Sequence, residues 1–357
     1  MAKIVTVYSR QKELLPVAMS VIRWIKISEA LSGYGHQVDI ATNERIPGVV
    51  PNGSNIRRVP LGDVQWAGYD VVKTLFHGGF DTLELFNGTQ HPFIISKLGS
   101  VVAPEDREGI HFYGDRRKQL YETQQKINRA SKYITLLSKP AIELWQECFG
   151  ERENILLLPG AVDKEIPAPA HNPYPRDGSK RCIFAGNIYN RDSQPEANAV
   201  LVNKLNQLGK HLKQHGGIRL YMIGPGDVSR LDPEFVTYMG SVPYEKSWNY
   251  FHYAQVGIVV ASGLFLHNNE STKIYHYLRA GLPVVSEAGF PNDRVVQESG
   301  LGFSVENGNF PLMVQKILES IERNWDRDSA IRYILSNHTW EKRAETYDHI
   351  IRREIGR

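Results

Sequence analysis

Long hydrophobic runs are missing from this sequence. No stretch of 18 apolar residues occurs in its 357 positions, so a membrane-spanning helix is not expected. No basic and apolar leader precedes the opening KIVTVYS, and the expectation is a soluble, cytoplasmic protein. Cysteine is scarce: Cys148 and Cys182 give neither a metal-type spacing nor a disulfide framework, which suits a reducing compartment. Each reads as a small buried hydrophobe. Charge of one sign is lacking too, with 42 basic against 39 acidic residues, so the chain carries no nucleic-acid footprint.

Several chemistry-bearing motifs are absent as well. Ser9, Arg10, Gln11 and Lys12 stand after the first strand, where a dinucleotide enzyme would have Gly-x-Gly-x-x-Gly, and no Walker-type loop occurs. No Gly-x-Ser-x-Gly marks a nucleophile elbow. The histidines come with no tight carboxylate cluster, so neither a built-in metal site nor a resident cofactor is expected. Internal repeats and low-complexity tracts are missing.

What the chain does have is a steady alternation of short apolar runs with amphipathic helical stretches, the pattern of parallel sheets covered by helices. In the first half, strands are expected at KIVTVYS, HQVDIAT, NIRRVPL, DVVKTLF, PFIISKL, KYITLLS and NILLLPG, with helices near 18–33, 116–130 and 139–149. Residues 163–180 hold four prolines and few apolar side chains, which excludes a regular element. The alternation then restarts with RCIFAGN, a helix over 195–214, IRLYMIG, FVTYMGS, a helix over 244–256 and GIVVASG. From Phe310 on, helices break near Asn324, Trp325 and Asp326. The expected fold is α/β, with two doubly wound domains. They cover 1–165 and 181–340, joined by a linker at 166–180, and a terminal helix over 341–357 packs back on the first. Such domains would face each other across a cleft, with ligands at the carboxyl ends of the strands.

The most informative segment is NNESTKIYHYLRAGLPVVSEAG, beginning at Asn268. Ser271 or Thr272 would cap a helix from about Lys273 to Ala280, Gly281 would end it, and PVVSE would be the next strand. The unpaired first-turn N–H groups, the helix dipole and Lys273 together favour a phosphate, and a diphosphate fits well. Ser/Thr caps are common in their own right, but other strand ends of the same half carry polar loops: FAGNIYNR, MIGPGD and MGSVPYEK. In them Gly186 and Gly224 would let backbone approach a ligand, Asn187 is a polar neighbour, and Arg191 offers a forked cation. Taken singly, each glycine is more ordinarily a turn residue.

In the first half, DVVKTLF ends at His77-Gly78-Gly79-Phe80-Asp81, an imidazole and a carboxylate beside two flexible residues. His77 would orient a substrate or move a proton, and Asp81 would cap the following helix or assist. Glu105, Asp106, Glu108 and Asp115 are further candidates for a base, most of them ordinary solvated charges. Arg23, Trp24 and Lys26 on the first helix, with the terminal HIIRREIGR, would be the surface an anionic inner membrane meets; a solvated helix face is the more ordinary reading.

In order and spacing the chain resembles the GT-B glycosyltransferases, above all family 4, over nearly its whole length. The likeness is carried by GYGHQVDIAT, DVVKTLFHGG, RASKYITLLSKPAIELWQECFGERENILLLPGAVD, LRAGLPVVSEAG, NGNFPLMVQKIL and NHTWEKRAETYDHII. The resemblance implies a nucleoside diphosphate sugar bound by the second half and an acceptor bound by the first. By the same resemblance Gly186 and Arg191 would line the phosphates, the backbone around Val242 would read the base, and Ser271 and Thr272 would cradle the diphosphate. Lys273 would hold the leaving charge without a metal. The chain departs from the family's two-glutamate motif: Asn268 and His276 occupy the two positions, and Glu270 lies two residues after the first. His276 would instead meet a ribose hydroxyl. Ser271-Thr272-Lys273 with His276 resembles the bacterial exopolysaccharide glucuronosyltransferases, which makes UDP-glucuronate one of the donors to consider. The expected activity is transfer from a nucleotide sugar, a UDP-sugar first, to a hydroxyl of a glycan, lipid-linked glycan or small molecule. If the reaction inverts configuration it needs a base, with His77 and Asp81 first. A GT-B epimerase, or a non-catalytic nucleotide-sugar or glycan binder, is the alternative.

Overall fold

The computed structural model describes residues 1–8, 19–42, 55–83, 92–105, 114–215, 217–262 and 269–356. They form two compact units, one of Met1–Pro159 with Thr339–Arg357 and the other of Gly160–His338.

The first unit is built on strands β1 (Lys3–Val7), β2 (Gln37–Thr42), β3 (Ile56–Pro60), β4 (Val71–Leu75), β5 (Phe93–Lys97), β6 (Tyr133–Leu136) and β7 (Ile155–Leu157). Their order is β3-β2-β1-β4-β5-β6-β7, and every pairing is parallel. Strands covered on both faces must be apolar on both, and β4 and β6 are buried throughout. Polar intruders are satisfied or isolated. Asp39 on β2 accepts hydrogen bonds from Arg57 (2.6 and 2.9 Å) and from the Tyr69 hydroxyl (2.5 Å). Lys73 in the middle of β4 is 2 % exposed, with the Tyr347 ring beneath its ammonium at 4.7 Å and no hydrogen bond or ion pair among the described residues.

Helices α1 (Met19–Gly33), α2 (Phe76–Asp81), α3 (Gly114–Ala130) and α4 (Lys139–Phe149) cover this sheet, joined by α11 (Trp340–Glu354), which packs on α1. The surface expected at Arg23 and Trp24 is not there. Trp24 is buried among Val21, Ile25, Ile40 and Leu75 and donates its indole N–H to Thr6 Oγ1 at 2.8 Å, and Arg23 is buried too. The first turn of α1 belongs to the core because its apolar positions surround the whole helix there, so no amphipathic stripe marks an outer face. No described helix is long and apolar enough to cross a membrane.

The second unit holds β8 (Lys180–Ala185), β9 (Ile218–Ile223), β10 (Val236–Tyr238), β11 (Val256–Val259), β12 (Val284–Glu287) and β13 (Gly302–Val305), in the parallel order β10-β9-β8-β11-β12-β13. Its helices are α5 (Pro195–Gln214), α6 (Tyr244–Tyr253), α7 (Thr272–Arg279), α8 (Arg294–Ser299), α9 (Phe310–Glu322) and α10 (Arg327–Asn337). Residues 166–179 run without helix or strand, held by Tyr174, whose ring lies edge-on to Tyr221 and Tyr250. The break after α9 is real: Asp326 caps α10 by accepting from Ser329 N–H. In this unit α8 and β13 escape the sequence reading, as α2 does in the first. The strand has four residues and opens on Gly302, where a Cβ would lie 2.2 Å from Val284 O, so close pairing required the residue that hides it.

In both sheets the strand order reverses at one place, between β1 and β4 and between β8 and β11. Ligands of doubly wound sheets bind beyond the carboxyl ends at that switch.

Candidate functional site

At the switch of the second unit, α7 is pinned across two strands from below. The Tyr277 hydroxyl accepts a hydrogen bond from Ala185 N–H at 2.8 Å and lies 3.2 Å from Ile183 O. Its ring lies so close to β11 that a Cβ on Gly257 would come within 2.4 Å of it. At the N-cap of the helix, Asn292 clamps the backbone of Ser271, accepting from its N–H (3.1 Å) and donating to its carbonyl (2.9 Å). The side chain of Ser271 is thereby spared. As N-cap residue it makes no cap hydrogen bond, and its buried Oγ has no hydrogen-bond partner among the described residues. An unpaired buried hydroxyl is uncommon and calls for a ligand or a reason.

Ser271 lines a pocket with Phe184, Asn187, Tyr189, Ser262 and Lys273. The Lys273 ammonium lies over the Phe184 ring at 4.9 Å and makes no hydrogen bond or ion pair among the described residues. Burial pushes it down from its ordinary value to about 8. A half-buried cation, a hydroxyl with no partner among the described residues and the first-turn N–H groups of α7 together make a candidate anion site. The wall behind is held by a buried carboxylate that sequence reasoning missed. Glu287 accepts from Ala261 N–H (2.7 Å) and Gly308 N–H (2.9 Å), and Lys204 neutralises it at 2.7 Å. Asn292 also went unseen, although its Pro-Asn-Asp setting is a turn signature.

The other expected donor-side residues fall into distinct places. The α7 helix runs Thr272–Arg279, one residue ahead of the expected Lys273–Ala280, and Thr272 opens it partly exposed. Gly186 makes room for Lys273 itself: a Cβ there would come within 2.5 Å of Lys273 Cε. Gly224 (φ 131°) and Gly226 (φ 127°) let the loops after β8 and β9 lie against each other, since a Cβ on either would sit about 2 Å from Gly186 O or Ile188 O. Arg191 is exposed, 3.8 Å from Asp192 and outside the pocket lining, and Val242, between β10 and α6, is also outside it. Glu270 reaches the pocket, yet its carboxylate accepts from Gly160 N–H (2.5 Å) and the Tyr275 hydroxyl (2.8 Å). The ring of His276 is turned inward, Nδ1 at 2.8 Å from Thr272 O and Nε2 at 3.0 Å from the Tyr244 hydroxyl. Both nitrogens serve the protein. Asn268 lies outside the described residues.

In the first unit His77 and Asp81 belong to the short helix α2 instead of a flexible strand end. Gly79 is there for contact, because a Cβ would meet Val7 O at 2.5 Å. His77 is buried with Nε2 at 3.2 Å from Gln124 Oε1, and Asp81 accepts from Thr123 Oγ1 at 2.8 Å. Glu105 and Asp115 are exposed; Asp106 and Glu108 lie outside the described residues. His211 and His215 stand four apart at the end of α5, a spacing that can hold a metal, but no group of three metal-ligating side chains exists among the described residues.

No protein-family model matches the chain, and no curated protein matches it. Solved structures do match. Sucrose-phosphate synthase from Thermosynechococcus elongatus superposes with a TM-score of 0.73 at 14 % identity, covering 100 % of both chains. HepE (Alr3699) from Anabaena, solved with UDP and glucose, gives 0.70 at 12 % identity over 98 % of this chain and 99 % of its own. The chain has the GT-B fold. A third GT-B structure, the glycosyltransferase AviGT4 of avilamycin A biosynthesis, gives 0.66 at 15 % identity over 100 % and 98 %. At such identities the likeness is one of fold, and the chemistry has to be argued from the pocket.

Proposed function

We propose that this GT-B protein transfers a glycosyl group from a nucleoside diphosphate sugar to an acceptor hydroxyl, the donor held by the second unit and the acceptor by the first. One observation carries the reading: a buried Ser271 Oγ with no partner among the described residues, lining one pocket with the half-buried Lys273 at the open end of α7. Ser271 and the first-turn N–H groups would bind the diphosphate, and Lys273 would hold its charge as the sugar leaves, with no call for a resident metal or cofactor. Asn187 would meet sugar hydroxyls. The donor is a UDP-sugar on this reading, in keeping with the fold shared with a protein solved with UDP. UDP-glucuronate is a member of that set, because one lysine can serve a carboxylate as well as a phosphate. A glycan or lipid-linked glycan is the proposed acceptor.

The depressed Lys273 gives this site a proton signature. Free lysine at about 8 is largely neutral near pH 9, and a bound diphosphate pulls it back to the ammonium form. UDP binding is therefore expected to take up close to one proton near pH 9 and almost none near pH 7, read from calorimetry in buffers of different ionisation enthalpy. Binding with no uptake at the higher pH would place the diphosphate away from Lys273.

A further inference from the structure

Between β12 and α8 the chain makes a tight turn. Asp293 N–H donates to Phe290 O at 2.9 Å, and Pro291 fills the second corner, where its fixed φ suits such a turn. Asp293 Oδ2 accepts from Gly289 N–H at 2.5 Å and braces it. The turn sets Phe290 in the wall of the pocket and brings Asn292, 3 % exposed, to the start of α7.

There the Asn292 amide takes both backbone groups of one residue, Ser271 N–H at 3.1 Å and Ser271 O at 2.9 Å. Only one orientation of the amide satisfies the pair, since the flipped one sets donor against donor. Held at both ends, Ser271 has its φ and ψ fixed. Ser138 and Thr339 are N-cap residues too, with ψ 160° and 162°, and their hydroxyls accept from the third N–H of their helices, Ala141 at 3.2 Å and Lys342 at 3.3 Å. Ser271 has nearly the φ of Thr339, −91° against −92°, but its ψ is 101°. At that angle the side chain makes no cap bond, and Oγ has no hydrogen-bond partner among the described residues. Ile274 N–H, the donor a capping serine would use, reaches Ser271 O instead, at 3.3 Å.

We propose that Asn292 is a positioning residue, whose grip on the Ser271 backbone withholds the hydroxyl from its own helix and keeps it for a phosphate oxygen of the donor. The ligand half of this proposal rests on the diphosphate reading above. A helix cap is given up for a ligand contact, and the exchange is made by a residue that itself stays out of the pocket lining.

A double-mutant cycle of Ser271→Ala with Asn292→Leu tests the clamp on the full chain, read as Tm without ligand and as UDP affinity by calorimetry. In the wild-type background the hydroxyl does nothing for the free protein. Ser271→Ala is expected there to leave Tm unchanged or raised and to weaken UDP roughly tenfold. In the Asn292→Leu background the released serine caps α7. Ser271→Ala is then expected to lower Tm by a few degrees and to leave UDP affinity, already weakened roughly tenfold, where it was. Asn292→Asp covers a leucine variant that does not fold. Its carboxyl group donates to Ser271 O only while protonated, so its UDP affinity relative to wild type is expected to fall as pH rises from about 5 to about 8. The ratio to wild type is read because Lys273, near 8, and Asp293, pushed up by burial to about 6, titrate in both proteins. Losses that simply add in the cycle overturn the proposal, as does an Asn292→Asp ratio that ignores pH. A wild-type chain that binds no UDP overturns the diphosphate reading, while the Tm half of the cycle decides on its own whether Asn292 withholds the hydroxyl.

Discussion

Lys273→Ala is expected to lose roughly 10² to 10³ in kcat while keeping or exceeding the wild-type Tm. The two halves of that result come from one fact. An ammonium group held half-buried over the Phe184 ring, with no hydrogen bond or ion pair among the described residues, is partly desolvated. It is an unfavourable charge until an anion arrives, so removing it relieves the fold and disables the site, the trade between stability and activity seen where a site is pre-organised. Lys273→Met, which keeps the aliphatic stem packed beside Gly186, should retain more stability than alanine and no more activity. A fall in Tm together with full turnover would show Lys273 to be a packing residue. Paired measurements of kcat and Tm on the two variants separate these outcomes.

Lys73→Met is expected to stabilise the first unit, and the gain should depend on pH. Lys73 is buried in β4, near Arg23 and over the Tyr347 ring, and desolvation first, then the Arg23 charge, pushes it down to about 7. In the unfolded chain the same amine titrates near 10.5. Below pH 7 both states carry the proton and the folded state bears the whole cost of burying it. Between about 7 and 10 the unfolded chain binds more proton than the folded one, so wild-type stability rises with pH, by an amount on the order of 3 to 5 kcal/mol in full. A methionine of similar shape removes the charge and fills the space. The variant should therefore melt several degrees higher at pH 6, with the gap closing toward pH 10. Above that, buried tyrosines such as Tyr347 and Tyr277, raised by burial, turn the trend downward in both proteins. A Lys73→Met protein less stable at every pH would mean that the ammonium has a compensating partner.

The sheets, most helices and the start of α7 were legible because each is a local pattern. Buried parallel strands read as apolar runs, α5 matches its expected 195–214 span, and Ser-Thr-Lys before an amphipathic turn marks a helix start. What stayed hidden depends on contacts far apart in sequence. Nothing near His276 tells that Tyr244 and Thr272 O take its two nitrogens, and nothing near Glu270 tells that Gly160 N–H claims its carboxylate. Gly186 and Gly224 look like ligand-approach glycines, but Gly186 makes room for Lys273, and Gly224 with Gly226 serves the contact between two loops. Trp24 illustrates the converse. Flanked by Arg23 and Lys26 it has the look of a surface patch, and only the position of α1 over Thr6 sends it into the core.

The most direct measurement is nucleoside diphosphate release from a panel of UDP-, GDP- and ADP-sugars, UDP-glucuronate included, by the purified chain, with Lys273→Ala alongside. Slow release from one UDP-sugar that also raises the Tm, absent in the variant, is the predicted result. No release and no thermal shift with any donor, or release that Lys273→Ala leaves intact, would contradict a transferase built on this pocket.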